Sequence, residues 1–517
     1  MWAVAHETFA ADGRIYRRAA RLQAILSATH GFVVERSVVI VEIDAMSSRI
    51  ALPTQGRAAA DILAELEQRK AGDTRWREGR VFSLVYHVPG AAGEAHEQLM
   101  QRAHALYAST NLLNPMAFGS LKKMETEIIE MAGALFHCPD AVGTVTSGGT
   151  ESILCAVAAY RDRARRQRPW IRSPELVVPQ TIHPAFDKAS HLFGVKLVKT
   201  PVGPDFRANA RAMAAKITRN TIGLVGSAPQ YPHGVVDPIA ELGELAQRKK
   251  LPLHVDACVG GFVLPWIERL GRPVPRWDFR VPGVTSISAD LHKFGYAGKG
   301  ASVLVWRSIE NMRHQIFVAT DFPGGIYASP TLLGTRPGGP IAAAWAALTS
   351  FGEHGYIELA KQALDAADRL RLGIEGIPGL ALIGKGDATI VTFGTAESVE
   401  AAADRSLIPS LIRKVRGTGG EEIYAIADRM EARGWTIDRQ HKPASIHLTV
   451  TANHAGIVED YLRDLAEAVR EVRQDPSLAK SGSAPMYGMA AKMPLRGFVA
   501  GRVRKVMAEM YSRGAQS

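Results

Sequence analysis

The sequence predicts an α/β protein: a mostly parallel seven-stranded sheet in a large domain, followed by a smaller α+β domain. Two observations carry that prediction. From Leu135 onward, short apolar runs alternate with segments of helical period, as in successive βαβ units. Past about Gly352 the texture changes, and a long helical stretch leads into short strand-like runs and one further helix.

Seven runs read as strands of the main sheet: 142–146, 175–179, 195–198, 222–227, 251–255, 286–288 and 301–306. Segments such as 152–166 and 239–249 have the helical pattern that joins them. In the C-terminal part, a helix over 356–375 precedes the strand-like ALIGKG and ATIVTFGT, a helix over 423–433 and the strand-like SIHLTV from Ser445. The charged segment 396–420, ending in GTGG, reads as a surface insertion. The expected division is a helical N-terminal segment or arm over 1–110, a large domain over 111–352 and a small domain over 353–517.

A chain of 517 residues, 46% hydrophobic and 22% charged, can bury a large core, which excludes disorder over most of its length. The net charge of +11 raises three anionic partners: nucleic acid, a phospholipid surface or a phosphorylated substrate. No long Lys/Arg tract is interleaved with aromatics, so nucleic acid is not expected. No run of ~18 apolar residues and no secretory signal is present, which points to the cytoplasm. Residues 12–26 have a basic amphipathic pattern that suits a solvated helix or docking arm better than a membrane contact. Cys138, Cys155 and Cys258 form neither a CxxC pair nor a metal-ligand spacing, so they read as reduced thiols and no metal is expected.

Three stretches could carry chemistry. In VTSGGTES (145–152) a strand ends, two glycines allow close backbone approach, and a helix opens whose N–H groups suit an anion. Alone, this turn is read first as a helix capped by Ser147 or Thr150. In LHVDACVGG (253–261), Asp256 arrives at the C-terminal end of an apolar run, the edge where open α/β sheets bind ligands. A buried carboxylate there needs a cationic partner, although capping a turn would also account for it. In SADLHKFGYAGKG (288–300), His292 and Lys293 follow a strand, and reduced solvation would lower the Lys293 pKa toward that of a nucleophilic amine. Each alone has an ordinary structural explanation. Together they supply a phosphate clamp, an acid for a pyridine nitrogen and a Schiff-base lysine, the three needs of pyridoxal phosphate. His183, just past another strand-like run, could lie flat on the ring, or could be a hydrogen-bonded structural residue.

In this order, SGGTES, QTIHPAFDKA, HVDAC and SADLHKFGYAGKG resemble the fold-type I pyridoxal-phosphate enzymes of the group II decarboxylase superfamily. Within it they are most similar to the sphingosine-1-phosphate lyase family, a likeness extended by NLLNPMAFGSLKKMETEI, SAPQYPHGVVDPI, GGIYASPTLLGTRPGG and YGMA, so that it spans 82–489. The resemblance implies a homodimer with active sites at the interface, and cleavage of a phosphorylated sphingoid base to a fatty aldehyde and phosphoethanolamine. It implies that Lys293 carries the cofactor, Asp256 pairs the pyridinium and His183 stacks on the ring. Gly148, Gly149, Thr150 and His292 would lie around the cofactor phosphate, with GTRPGG reaching the phosphate of the neighbouring subunit. Asn111, Tyr86 and Lys299 match positions that meet the substrate phosphate or assist catalysis, and Tyr231, more loosely, one that moves a proton. Lys293, His292 or a tyrosine would return a proton to the α-carbon.

Three departures stand out. The membrane span of eukaryotic members is missing, as in the soluble bacterial type. Asn114 stands where many members carry a His that could touch phosphate, and the 396–420 insertion has no assigned role. Two other readings stay open: an amino-acid decarboxylase on the same scaffold, and a cofactor-binding homologue without catalysis.

Overall fold

The computed structural model describes residues 52–403, 420–482 and 496–512. Residues 12–26 and Tyr487–Ala490 lie outside them, as do 404–419, most of the expected insertion; its start, Ala396–Ala403, is a helix. The chain divides into two units, one ending at Asp73 and one beginning at Thr74. The first carries a single described helix, α1 (Ala59–Lys70), with acidic Asp61 in its first turn and Arg69 and Lys70 in its last, as the helix dipole favours.

In the second unit, α2 (Gly90–Leu106) and α3 (Gly119–Leu135) precede the sheet. The seven apolar runs become β1 (Val142–Thr146), β2 (Glu175–Pro179), β3 (Lys196–Thr200), β4 (Thr221–Ser227), β5 (Leu253–Asp256), β6 (Val284–Ala289) and β7 (Ser302–Trp306). They lie side by side in the order β1-β7-β6-β5-β4-β2-β3. Strand β7 runs against both neighbours and every other pairing is parallel, so the sheet is mostly parallel as expected. Consequently β1, β2, β4, β5 and β6 all deliver their C-terminal ends to one edge. Strands β2, β4, β5 and β7 are buried at every residue, which is why they read as continuous apolar runs without alternation. The edge strand β3 is half exposed and carries Lys196 and Lys199, charges that discourage pairing with another chain.

Helices α4 (Gly149–Gln167), α5 (Ala185–Phe193), α6 (Ala210–Lys216) and α7 (Ile239–Lys249) make the crossovers between parallel strands. Short α8 (Leu264–Arg269) and α9 (Ile309–Met312) flank β6 and β7. A hairpin of β8 (Phe317–Ala319) and β9 (Tyr327–Ser329), too short to stand out in the sequence, precedes α10 (Gly338–Glu375). This helix begins well before the 356 expected and kinks at Gly352, whose φ of 54° a glycine adopts without strain. Helices α2 and α3 pack on it.

The second sheet, β10-β11-β13-β12, is antiparallel: β10 (Leu380–Leu382), β11 (Ile390–Thr395), β12 (Asp438–His441) and β13 (Ala444–Thr449). Between its strands fall α11 (Ala396–Ala403) and α12 (Gly420–Ala432), with α13 (Val458–Gln474) and α14 (Arg496–Ser512) after them. Helices α12 and α13 bury Tyr424, Tyr461 and Trp435 in a core separate from that of the main sheet. Phe82 enters that second core and stacks on His454 at 4.3 Å. Among the described residues, no helix is long and apolar enough to cross a membrane.

Candidate active site

The glycine turn after β1 opens α4 with Gly148 at the cap position and no side-chain hydrogen bond to the first-turn N–H groups. Neither Ser147 nor Thr150 caps the helix, which corrects the simplest reading of the turn. The side chain acting here is Glu151. Its Oε2 accepts the Ser147 N–H at 2.7 Å, and its Oε1 accepts those of Leu332 and Leu333 at 3.1 Å. Glu151 thus pins the turn to the loop after β9 and leaves the helix N-terminus open as an anion site. Gly149 is required by close approach, because a Cβ there would lie 2.6 Å from Cys258 Sγ and 2.7 Å from Asp290 Oδ1.

At the end of β5, Asp256 is 7% exposed and accepts the Cys258 N–H at 3.1 Å through Oδ1. It does cap a turn, but among the described residues its second oxygen has no hydrogen-bond partner and no ion pair includes it. That leaves room for a cation from outside the chain. Beneath it, His254 bonds Ser286 and Ser288 of β6, and burial holds its imidazole neutral with a pKa lowered to about 4.

Past β6 the chain places Asp290, His292 and Lys293 together. Lys293 Nζ sits 2.9 Å from Asp290 Oδ2, and His292 Nε2 lies 3.7 Å from the same oxygen. The expected lowering of the Lys293 pKa is reversed. Burial, the largest single influence, pushes its ammonium toward neutrality, but Asp290, Tyr86 and Cys258 together outweigh it and hold the amine charged. The same pairing holds Asp290 below the usual carboxylate range despite its burial, while burial lowers His292. Asp290 Oδ1 and His292 Nδ1 are buried without partners, and the His292 ring is the nearest neighbour that a Cβ on Gly148 would meet.

Lys299 follows on the short loop before β7. Its Nζ donates to the carbonyls of Leu84 at 3.1 Å and His292 at 3.3 Å, and lies 5.2 Å from the centre of the Tyr86 ring. Burial and then the Lys293 charge hold its pKa below the ordinary lysine value. Burial pushes the Tyr86 phenol up to about 12. Tyr231, after β4, donates from its hydroxyl to Asp438 Oδ2 at 2.6 Å and packs its ring 4.2 Å from His447; burial and Asp438 push its pKa up.

His183 stands past β2, two strands from β5, so roughly 10 Å along the sheet edge from Asp256. Its Nδ1 accepts the Ala185 N–H at 3.1 Å and the ring is exposed. Among the described residues, no hydrogen bond joins Asn111 or Asn114 to this cluster. Asn111 Oδ1 accepts from Leu113 N–H and Asn114 Oδ1 from Met116 N–H, both at 3.0 Å, and Asn114 is exposed. In GTRPGG, Arg336 turns inward to a buried ion pair with Glu125 and so is not the group that reaches outward.

Sequence reading missed Asp290, Cys258 and Asp438. Asp290 sat in the quoted SADLHK, three residues before Lys293, a spacing that brings the two together only because the chain turns sharply there. Asp290→Asn should lower the pH at which the free Lys293 amine loses its proton, since the strongest of the groups opposing burial is then gone. The check is the pH dependence of cofactor uptake by the apoprotein, which should move to more acid values; an unmoved profile would separate Asp290 from Lys293.

These groups fit pyridoxal phosphate: an uncapped helix start for its phosphate, an unpaired buried carboxylate for its ring nitrogen, and an amine held between them. The chain belongs to the pyridoxal-dependent decarboxylase family, whose conserved domain matches residues 53–395. A glutamate decarboxylase of Lactobacillus brevis, 20% identical with a TM-score of 0.68 over 84% of this chain and 96% of its own, shares the fold alone. Within that family the chain is one of the sphingosine-1-phosphate lyases. The rice sphingosine-1-phosphate lyase is 41% identical over 457 residues, covering 87% of this chain and 80% of its own. The structure of a Burkholderia pseudomallei sphingosine-1-phosphate lyase is 36% identical with a TM-score of 0.75, covering 87% of this chain and 98% of its own.

Proposed function

We propose that the chain cleaves phosphorylated long-chain sphingoid bases at the Cα–Cβ bond, giving a fatty aldehyde and phosphoethanolamine, with pyridoxal phosphate as cofactor. The observation that carries this reading is a second cation beside the first anion site. His292 links the two: its ring faces Gly148 of the glycine turn, and its carbonyl accepts from Lys299. One anion site serves the cofactor phosphate, and Lys299 serves the phosphate of the substrate.

Pyridoxal phosphate, when bound, supplies an electron sink for the pair left at the substrate's α-carbon. Lys293 would hold it through Nζ, the N–H groups of Gly149 and Thr150 with His292 would hold its phosphate, and His183 would cover its ring. Asp256, through the oxygen without a partner among the described residues, would keep the ring nitrogen protonated. The substrate's 3-hydroxyl gives up its proton, the Cα–Cβ bond breaks to leave the aldehyde, and a proton is returned to Cα. Tyr86 and Tyr231, with raised pKa values, suit hydrogen-bond donation better than proton removal. Lys293, displaced by the substrate amine and charged beside Asp290, is suited to return the proton to Cα.

The homodimer belongs to this proposal. Phe317, Val318, Phe322 and Ile326 on and beside the hairpin are exposed, as are Leu113 and Met116, and a partner copy would cover such apolar surface. It would also give exposed Asn114 and the Asn111 loop a site to complete. The second core and the Gly352 kink support a small domain from 353 onward, with Phe82 joining it from the N-terminal side. A cytoplasmic location is part of the same reading.

The test is a mass-spectrometric product assay with phosphorylated dihydrosphingosine. Aldehyde and phosphoethanolamine should form in equal amounts. Carbon dioxide released from an amino-acid panel instead would make the chain a decarboxylase. Lys299→Ala should lose cleavage and keep the cofactor. Because its pKa lies below the lysine norm, substrate affinity should be present below that value and fall as pH rises through it, and Lys299→Arg should move the fall to higher pH. A variant that also loses the cofactor would place Lys299 at the cofactor and not at the substrate.

A further inference from the structure

The opposite end of α4 carries a basic pocket that catalysis does not use. Over residues 160–172 the chain has six arginines against one acid, Asp162. They are no contiguous tract, but Arg161, Arg165 and Arg172 converge with Ile171, Pro174 and Phe193 around a cavity of about 170 Å³. Arg161 and Arg165 share the single Asp162 carboxylate, and Arg172 has no ion pair among the described residues. The pocket therefore keeps a net charge of about two positives after its internal pairing, in a recess where an anion would be partly desolvated. Arg161 also lies over the Phe193 ring at 5.2 Å, which holds one wall in place.

Two exposed apolar residues adjoin its lining residues along the chain. Trp170 precedes Ile171 and is 66% exposed, and Leu192 precedes Phe193 and is 55% exposed. An exposed Trp within an arginine-rich stretch suits the headgroup level of a bilayer, where its ring lies at the apolar boundary. Nucleic acid could use the arginines and stack on the Trp, but it has no use for the exposed Leu.

We propose that this pocket and its two apolar shoulders dock the enzyme on anionic membranes, the arginines taking a phospholipid headgroup phosphate. With 19 residues, α4 spans about 28 Å, and its other end holds the glycine turn of the active site. Docking here leaves the active-site edge uncovered. It goes beyond the proposed reaction, and rests on the pocket's own charge and exposure.

The test is co-sedimentation of the full-length holoenzyme with vesicles of phosphatidylcholine alone or mixed with phosphatidylglycerol. Wild type should pellet with the anionic vesicles only, and less so as salt rises. Arg172→Glu and Trp170→Ala, both at exposed positions, should together weaken that binding about tenfold or more. Their cleavage of a phosphorylated short-chain base that forms no micelles should be unchanged, which separates this result from failure of the reaction assignment. Equal binding to neutral vesicles, no binding, or binding untouched by both variants would overturn the proposal. Release from vesicles by millimolar inorganic phosphate would assign the pocket to a soluble phosphate, and tighter capture of single-stranded RNA would assign it to nucleic acid; either also overturns it.

Discussion

Lys293→Ala is expected to lose turnover by roughly 10⁴-fold or more, together with the visible absorbance of bound cofactor. The amine is the only one within hydrogen-bonding distance of Asp290 among the described residues; Lys299 is turned to two backbone carbonyls instead. Among the described residues, Lys299 could stand in for it only by moving the loop before β7. Absorbance and product yield, measured on the same preparation, check this. A colourless but active variant would move the nucleophile elsewhere; a coloured and active one would refute the assignment outright.

Asp256→Ala should follow, with kcat reduced by about 10²–10³ and weaker cofactor retention. The carboxylate is buried at the end of β5, tied by one oxygen to the Cys258 N–H, with no cation of the described residues paired with the other. Removing it leaves a buried site with nothing to stabilise a protonated ring nitrogen, so the electron sink weakens at the step that breaks carbon–carbon bonds. Asp256→Asn keeps the turn hydrogen bond and removes the charge. If Asn restores activity, the turn is what matters; if Asn behaves as Ala does, the charge is. A normally coloured, fully active Asp256→Ala protein would refute the pairing.

Much of this was written in local pattern. A buried parallel strand must be apolar throughout, so β2 stands in the sequence with the bounds it has in the fold; the edge strand β1 does too, and α7 shows its period between Ile239 and Lys249. The glycine turn, Asp256 and Lys293 each follow such a strand, so their common edge was legible once the strands were taken as parallel. The short elements were not legible. The β8–β9 hairpin and β12 are three or four residues long, and their pairing partners, not their composition, make them strands. The first half of α10 was lost among GTRPGG and its small residues, because burial against α2 and α3 holds it helical despite its two opening glycines.

By itself, then, the sequence determined the class of fold, the edge of the sheet that does chemistry, and the residue types needed for a phosphate, a ring nitrogen and an aldehyde carbon. Those depend on neighbours a few residues away. Only tertiary structure decided the electrostatics. Asp290, with Tyr86 and Cys258, reverses the expected direction of the Lys293 pKa, Asp438 makes Tyr231 a held donor, and Glu151 pins the glycine turn whose helix neither Ser147 nor Thr150 caps. In each case a charge acts across a few ångströms of low-dielectric interior, where its effect depends on distance and burial, and neither quantity is carried by sequence spacing.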